Sequence, residues 1–143
     1  MTGTLTDAGP MIALIDRDDA CHDACAGMLG SIPVPIVTTW PCFTEAMYTL
    51  RQAGGHRAQD ELWGYVEVGA LTFHWPSEEE VARMRVLMRQ YEDRPMDLAD
   101  ASLVTTAEAL GAARIFSVDS DFYVYRLADG TALEVFPGPP PKR

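Results

Sequence analysis

The chain has 143 residues and a mass of 15.7 kDa, with 48% hydrophobic residues, which suits one domain with a real core and argues against global disorder. Its net charge is −10: nine acids face three bases over residues 1–70, and twelve face eight over 71–143. With Lys142 as the single lysine, the charge argues against a broad basic face gripping nucleic-acid backbone by counterion release, fits a bound metal ion or a basic protein partner better, and leaves contact with a short stretch of RNA open.

Residues 3–7 read as a short strand ending on Asp7. Gly9-Pro10 breaks it, and Pro10 opens a helix over Met11–Arg17. Asp18 or Asp19 is expected to cap a second helix that runs to about Met28 and stops before Gly30. The β-branched run Val34–Thr38 is a strand with an irregular start at Pro35. Thr38 and Thr39 offer caps for a helix to about Gln52, Gly54-Gly55 ends it, and a further helix covers His56–Val68. After Gly69 comes a strand at Leu71–Trp75.

Ser77 and Glu80 have the spacing of a capping box. The helix behind them carries Val81, Met84, Leu87 and Met88 on one face and Arg83, Arg85 and Arg89 toward solvent. Asp97 caps a helix to about Leu110, stopped by Gly111. Arg114–Val118 is a strand, Asp121–Arg126 a turn or short helix, and Thr131–Phe136 a last strand. Residues 138–143 are expected to fray as a Pro-rich tail. Strands and helices alternate, so the expected fold is α/β: a three-layer α/β/α sandwich on a short, mostly parallel five-stranded sheet, with one domain over residues 1–137.

No apolar run approaches the ~18 residues of a membrane span, and no basic segment precedes an apolar one as in a signal peptide. Cys21, Cys25 and Cys42 are too few and too irregularly spaced for a disulfide scaffold, so a cytoplasmic, reducing location is expected. Cys21, His22 and Cys25 lack a fourth zinc ligand of matching spacing and read as packing residues. Trp40, Trp63 and Trp75 read as core or dimer contacts.

In an open α/β sheet the working site lies beyond the carboxyl ends of the strands. Asp7 and Asp119 each follow a strand there. Asp100 lies in the first turn of a helix, and Glu45 lies early in the helix after the second strand. Two carboxylates ~4 Å apart repel by ~4 kcal/mol at an effective dielectric of ~20, so four that converge must take up protons or bind a cation. An all-oxygen set suits Mg2+ or Mn2+ rather than structural zinc, and such an ion can support attack of water on a phosphodiester. Each acid also has an ordinary use: Asp7 in a turn, Asp97 and Asp121 as caps, Glu45 as a solvated helix acid.

The chain resembles PIN-domain ribonucleases, and in particular VapC-type toxins of bacterial toxin–antitoxin pairs. The likeness is carried by Thr6-Asp7-Ala8-Gly9-Pro10, Ala13–Asp19 with His22, Thr38-Thr39 with Glu45-Ala46, Tyr91, Met96–Leu103, and Ser117–Phe122 with Tyr125-Arg126. These segments extend over about residues 4–137. The resemblance implies a metal site of Asp7, Glu45, Asp100 and Asp119, with Asp121 as an auxiliary acid, and Ser117 in place of the usual threonine. It further implies metal-assisted cleavage of structured RNA such as tRNA or ribosomal RNA, a homodimer, and silencing by a cognate antitoxin. Arg126 is a candidate for contacting substrate phosphate or pairing with an acid. Two other readings compete: a phosphatase using Asp119 and Asp121, and an inactive PIN-like interaction protein. The first is disfavoured because such a pair usually follows the first strand, and here only 22 residues follow Asp121.

Overall fold

A computed structural model describes residues 3–141 and contains five strands, five α-helices and one 3-10 turn among those residues. In chain order these are β1 (Thr4–Thr6), α1 (Ala8–Ile15), α2 (His22–Leu29), β2 (Ile36–Thr38), α3 (Trp40–Glu67) and β3 (Leu71–Phe73). There follow α4 (Glu78–Gln90), α5 (Leu98–Leu110), β4 (Arg114–Ser117), the 3-10 turn Ser120–Tyr123 and β5 (Glu134–Pro137). The strands form one sheet in the order β3-β2-β1-β4-β5, and every ladder in it is parallel. This is the expected α/β/α sandwich.

The chain steps from β1 outward to β2 and β3, then crosses back over the sheet to β4. Right-handed crossovers therefore put α1–α3 on one face and α4–α5 on the other. The reversal falls between β1 and β4, and the crevice at their carboxyl ends is where such sheets place a ligand. The register pairs Thr6 with Phe116, so Asp7, just beyond β1, and Ser117, the last residue of β4, emerge side by side.

Local signals hold where the partner is near in sequence. The Thr39 hydroxyl accepts from the Cys42 amide at 3.4 Å, with Pro41 in the first turn of α3. Ser77 and Glu80 make both bonds of the capping box. Asp97 accepts from the Asp100 amide at 2.8 Å, and Gly111, at φ 63°, ends α5 in the left-handed region. Gly55, at φ 67° and ψ −156°, breaks α3 between the two helices expected there.

Other boundaries move for identifiable reasons. Helix α1 starts at Ala8 rather than Met11, because Pro10 fits inside a first turn whose amides have no carbonyl partner. Asp18 and Asp19 do not cap α2, whose N-cap is Cys21; Asp19 instead accepts from the Cys21 amide two residues on, closing a turn. The last strand begins at Glu134, after Asp129 accepts from Thr131 and an antiparallel bridge joins Arg126 to Ala132. The tail does not leave the domain at once: the Gly138 amide bonds to the Ser117 carbonyl at 3.0 Å. Met1, Thr2, Lys142 and Arg143 lie outside the described residues, and with them the end of the tail.

Leu5, Ile115 and Phe116 of the central strands pack with Phe43, Leu50, Leu62, Leu87, Leu103, Phe122 and Tyr125, all nearly or fully buried. Helix α5 is buried from Ala101 to Ala107. Its hydroxyls are satisfied internally: Thr105 and Thr106 donate to the Ser102 carbonyl, and Ser102 pairs with Thr39 at 2.6 Å. The Ser102–Thr39 bond ties the helix that carries Asp100 to the start of α3. The tryptophans are not core: Trp40, Trp63 and Trp75 are 45%, 45% and 60% exposed, and they pack with Phe43, Phe73 and one another, mostly edge-on or tilted, at ring distances of 4.8–5.7 Å. In α4, Met84 and Leu87 are buried, Val81 is exposed, and Arg83 turns from solvent to make a two-pronged bond with Glu108.

Candidate active site

A cleft of about 400 Å³ opens at the carboxyl ends of β1 and β4 and is lined by Asp7, Glu45, Asp97, Asp100 and Asp119 among others. The four acids implied by the resemblance thus share one cavity, although they come from four separate segments.

Asp7 continues from β1, with its amide donating to the Phe116 carbonyl at 3.3 Å. It is the N-cap residue of α1, yet its carboxylate makes no cap bond to that helix. Its Oδ2 instead accepts from the Ser117 hydroxyl at 2.7 Å, and its Oδ1 is buried without a hydrogen-bond partner among the described residues. Forgoing a cap costs roughly 1 kcal/mol, and an unpartnered buried carboxylate oxygen costs more. Burial pushes the Asp7 carboxyl up to about 7; the Ser117 bond opposes the shift, and the charges of Asp119, Asp100 and Glu45 add to it. Gly9 keeps this corner tight, since a Cβ there would meet the Val118 side chain at 2.9 Å.

Asp100 stands in the first turn of α5 and accepts at Oδ2 from the hydroxyl of Tyr125, a fully buried residue, at 2.7 Å. Burial lifts its carboxyl to about 7 against the pull of the Tyr125 bond, with the charges of Asp97 and Asp119 lifting it further. Asp119 follows β4 after one residue. Its amide donates to the Ser117 hydroxyl at 3.0 Å, and its Oδ1 accepts from the Asp121 amide at 2.9 Å. The Ser117 hydroxyl therefore donates to Asp7 and accepts from Asp119, orienting both acids. Glu45 faces the same cleft from α3, its carboxyl raised by partial burial and by the charges of Asp97 and Asp119.

The tightest group is a trio. One carboxylate oxygen each from Asp100, Asp119 and Asp121 lie within 4.8 Å of one another. Asp121, read from sequence as an auxiliary acid, belongs to this trio, while Asp7 and Glu45 line the cleft beside it. Three charges at that spacing repel by about 3 kcal/mol per pair at an effective dielectric of ~20. Asp7 and Asp100, both pushed up to about 7, owe the shift first to burial, with the neighbouring carboxylates adding to it. An all-oxygen donor set with an orphaned buried oxygen fits a hard divalent cation such as Mg2+ or Mn2+.

Asp97 serves as a cap and also lines the cleft. Arg126 does not line it: its Nη1 donates to the carbonyls of Tyr123, Val124 and Tyr125 and closes the end of the 3-10 turn. His22 contacts the Ala13 carbonyl through Nδ1 at 2.6 Å, and the three cysteines are free thiols, as a packing role requires. Cys42 sits under the cleft, with burial raising its thiol far from ionisation. The charged residue that sequence reasoning passed over is Arg94, between α4 and α5, whose Nη1 lies 3.2 Å from Asp121 Oδ1. Its only sequence signal is scarcity, as one of few cations near a run of acids.

Solved structures share this architecture. The chain is similar to VapC20 of Mycobacterium tuberculosis, described as a sarcin–ricin loop cleaving toxin, with a TM-score of 0.77 at 17% identity over 85% of this chain and 94% of that one. It is similar to a toxin–antitoxin complex from Klebsiella pneumoniae, with a TM-score of 0.63 at 16% identity over 84% and 90% of the chains. VapBC2 of Rickettsia felis, bound to a DNA fragment from its promoter, gives a TM-score of 0.61 at 11% identity over 92% and 96%. No curated protein matches the sequence closely enough to count as a relative. Identities this low speak for the fold alone; the PIN domain, however, is matched by the sequence itself over residues 4–127, nearly the whole chain. On that match and on the sheet order and acid cleft just described, the chain belongs to the PIN-domain family.

Proposed function

We propose that this chain is a Mg2+- or Mn2+-dependent endoribonuclease, a VapC-type toxin that cuts structured RNA such as tRNA or ribosomal RNA in the cytoplasm, works as a homodimer and is silenced by a cognate antitoxin. The observation that carries the reading is the meeting of Asp100 and Asp119 in a cleft that also holds Asp7, with Asp121 within 4.8 Å of the first two. The similar structures that are toxins or toxin–antitoxin complexes support the class of substrate and partner. No helix of the described residues is long and apolar enough to cross a membrane.

In this reading Asp7, Asp100, Asp119 and Asp121 hold the ion, with Glu45 beside them. A divalent cation bound there supplies a water of lowered pKa and offsets charge on the phosphoryl oxygens. The chain's own residues do the rest. Ser117 aims Asp7 and Asp119 together, and Tyr125 fixes Asp100 from below. Glu45, exposed on the cleft wall with a raised carboxyl, is suited to take a proton from the attacking water and release it. The phosphatase alternative finds no support in the chain order, since Asp119 and Asp121 follow β4, the fourth strand, and not the first.

Purified protein and its Asp100→Asn variant, incubated with total tRNA and ribosomal RNA in Mg2+, Mn2+ or EDTA, test the proposal. Discrete products are expected from the parent with metal alone. Cleavage at the parent rate by Asp100→Asn, or in EDTA, would sink it.

A further inference from the structure

The cleft has an excess of negative charge for its proposed task. Asp7, Glu45, Asp97, Asp100 and Asp119 line it, Asp121 joins it through the trio, and no arginine, lysine or histidine is among the lining residues. A phosphodiester is itself an anion, so a fixed cation at this rim would favour its approach.

Arg94 is placed to be that cation. It lies in the turn between α4 and α5, and this turn is anchored to the segment that carries Asp121 and Tyr125. The Tyr91 hydroxyl accepts from the Arg126 amide at 3.0 Å, and the Tyr91 ring packs edge-on against Tyr125 at 5.0 Å. The Arg94 and Met96 amides both return to the Tyr91 carbonyl, and Met96 is buried. The backbone under Arg94 is thus tied down while its side chain stays 44% exposed.

The guanidinium makes a single bond, Nη1 to Asp121 Oδ1 at 3.2 Å, and its other N–H groups have no acceptor among the described residues. Arg126 differs, with Nη1 committed to three backbone carbonyls. Exposed ion pairs of the Arg94–Asp121 kind are cheap to break or share, and a guanidinium fork matches phosphate oxygens in two places at once.

Resting on the nuclease reading above, we infer that Arg94 binds a backbone phosphate of the RNA beside the acid trio, handing Asp121 from an ion pair to the metal as it does so. Arg94 is then a substrate-positioning residue, held in waiting by the acid it will release.

The test compares the parent with Arg94→Met and Arg94→Lys. Binding of fluorescently labelled bulk tRNA is followed over a salt series in the non-cutting Asp100→Asn background, and Mn2+ binding is titrated without RNA. Arg94→Met is expected to weaken tRNA binding about tenfold and to lower the slope of log affinity against log salt by about 0.7–0.9, the loss of one phosphate contact. Arg94→Lys should keep the slope and recover part of the affinity. Mn2+ affinity should stay equal or tighten in Arg94→Met, because Asp121 loses a competitor. Unchanged tRNA affinity and slope in Arg94→Met would overturn the inference while leaving the nuclease intact. Loss of Mn2+ binding or of the folded state in Arg94→Met would overturn it in favour of a structural ion pair. A parent that neither binds Mn2+ nor cuts RNA would instead bring down the nuclease reading, and the inference with it.

Discussion

Glu80 and Asp100 occupy the same place in two helices, the third residue after a capping side chain, and their acidity moves in opposite directions. Partial burial raises the Glu80 carboxyl, but bonds from the Ser77 backbone at 3.0 Å and from His74 at 2.6 Å outweigh it, and the net shift is downward. Asp100 gains one strong donor, Tyr125, yet deeper burial and the charges of Asp97 and Asp119 carry it up to about 7. Both acids sit in the favourable field of a helix N-terminus. That field does not decide the outcome; desolvation and like-charged neighbours do. The start of α4 is an acidic run satisfied on its own terms, whereas the rim at α5 holds charge that calls for a cation.

The largest expected separation of the two sites is in activity. Asp100→Asn should lower metal-dependent RNA cleavage by at least about a hundredfold, and Glu80→Gln should change it by less than about twofold; initial rates on the mapped RNA decide. Equal losses in both would erase the contrast.

The next effect is on stability against pH. The unfolded chain titrates Asp7 and Asp100 near 3.8, while the metal-free fold holds both near 7. Protonation therefore favours the fold. Their contribution is complete below about pH 3.8 and is lost as pH rises through 7. Glu80 behaves in the opposite sense: its contribution is present above 4.5 and is lost as pH falls through its lowered value. Melting curves of metal-free protein should show a falling Tm between pH 5.5 and 8, and Mn2+ should raise Tm more at pH 8 than at pH 5.5. A metal-induced shift that is equal at both pH values would count against ionised Asp7 and Asp100 as ligands.

Ser117→Ala should cost about tenfold in cleavage rate and roughly 1–3 kcal/mol of stability, because Asp7 Oδ2 loses its donor and the Asp119 amide its acceptor. Ser117→Thr, which keeps the hydroxyl, should recover most of the rate in the same assay. The smallest effect belongs to α4, where Glu80→Ala should lower stability by about 1 kcal/mol in urea melts, because the Ser77 amide loses its acceptor in the capping box.

Much of the fold was legible because its signals are local. Ser77 with Glu80, Asp97 with Asp100, Thr39 with Cys42, and Gly111 each act within three or four residues, so spacing alone announces them. Asp18 and Asp19 misled because a short acidic side chain can close a turn as readily as cap a helix. For the tryptophans only the core half of the reading fails: the aromatic cluster, with Trp40 and Trp75 5.4 Å apart, lies at the surface, because burial depends on what covers it and not on local spacing. Asp7 and Asp119 could be placed at the working edge by counting along strands, but the joint hydroxyl between them spans 110 residues of chain.

The sequence by itself determined the inventory: the excess of acids, the strand ends that carry two of them, the caps that start α3, α4 and α5, and the scarcity of cations. Only the tertiary structure decided that Asp121 joins Asp100 and Asp119, that Asp7 Oδ1 is left unpartnered among the described residues, and that Arg94 rather than Arg126 pairs with an acid of the trio. The reason is distance along the chain. Helix caps and turns are energies between near neighbours, whereas desolvation and repulsion among carboxylates depend on which distant segments the packed sheet brings within a few ångströms.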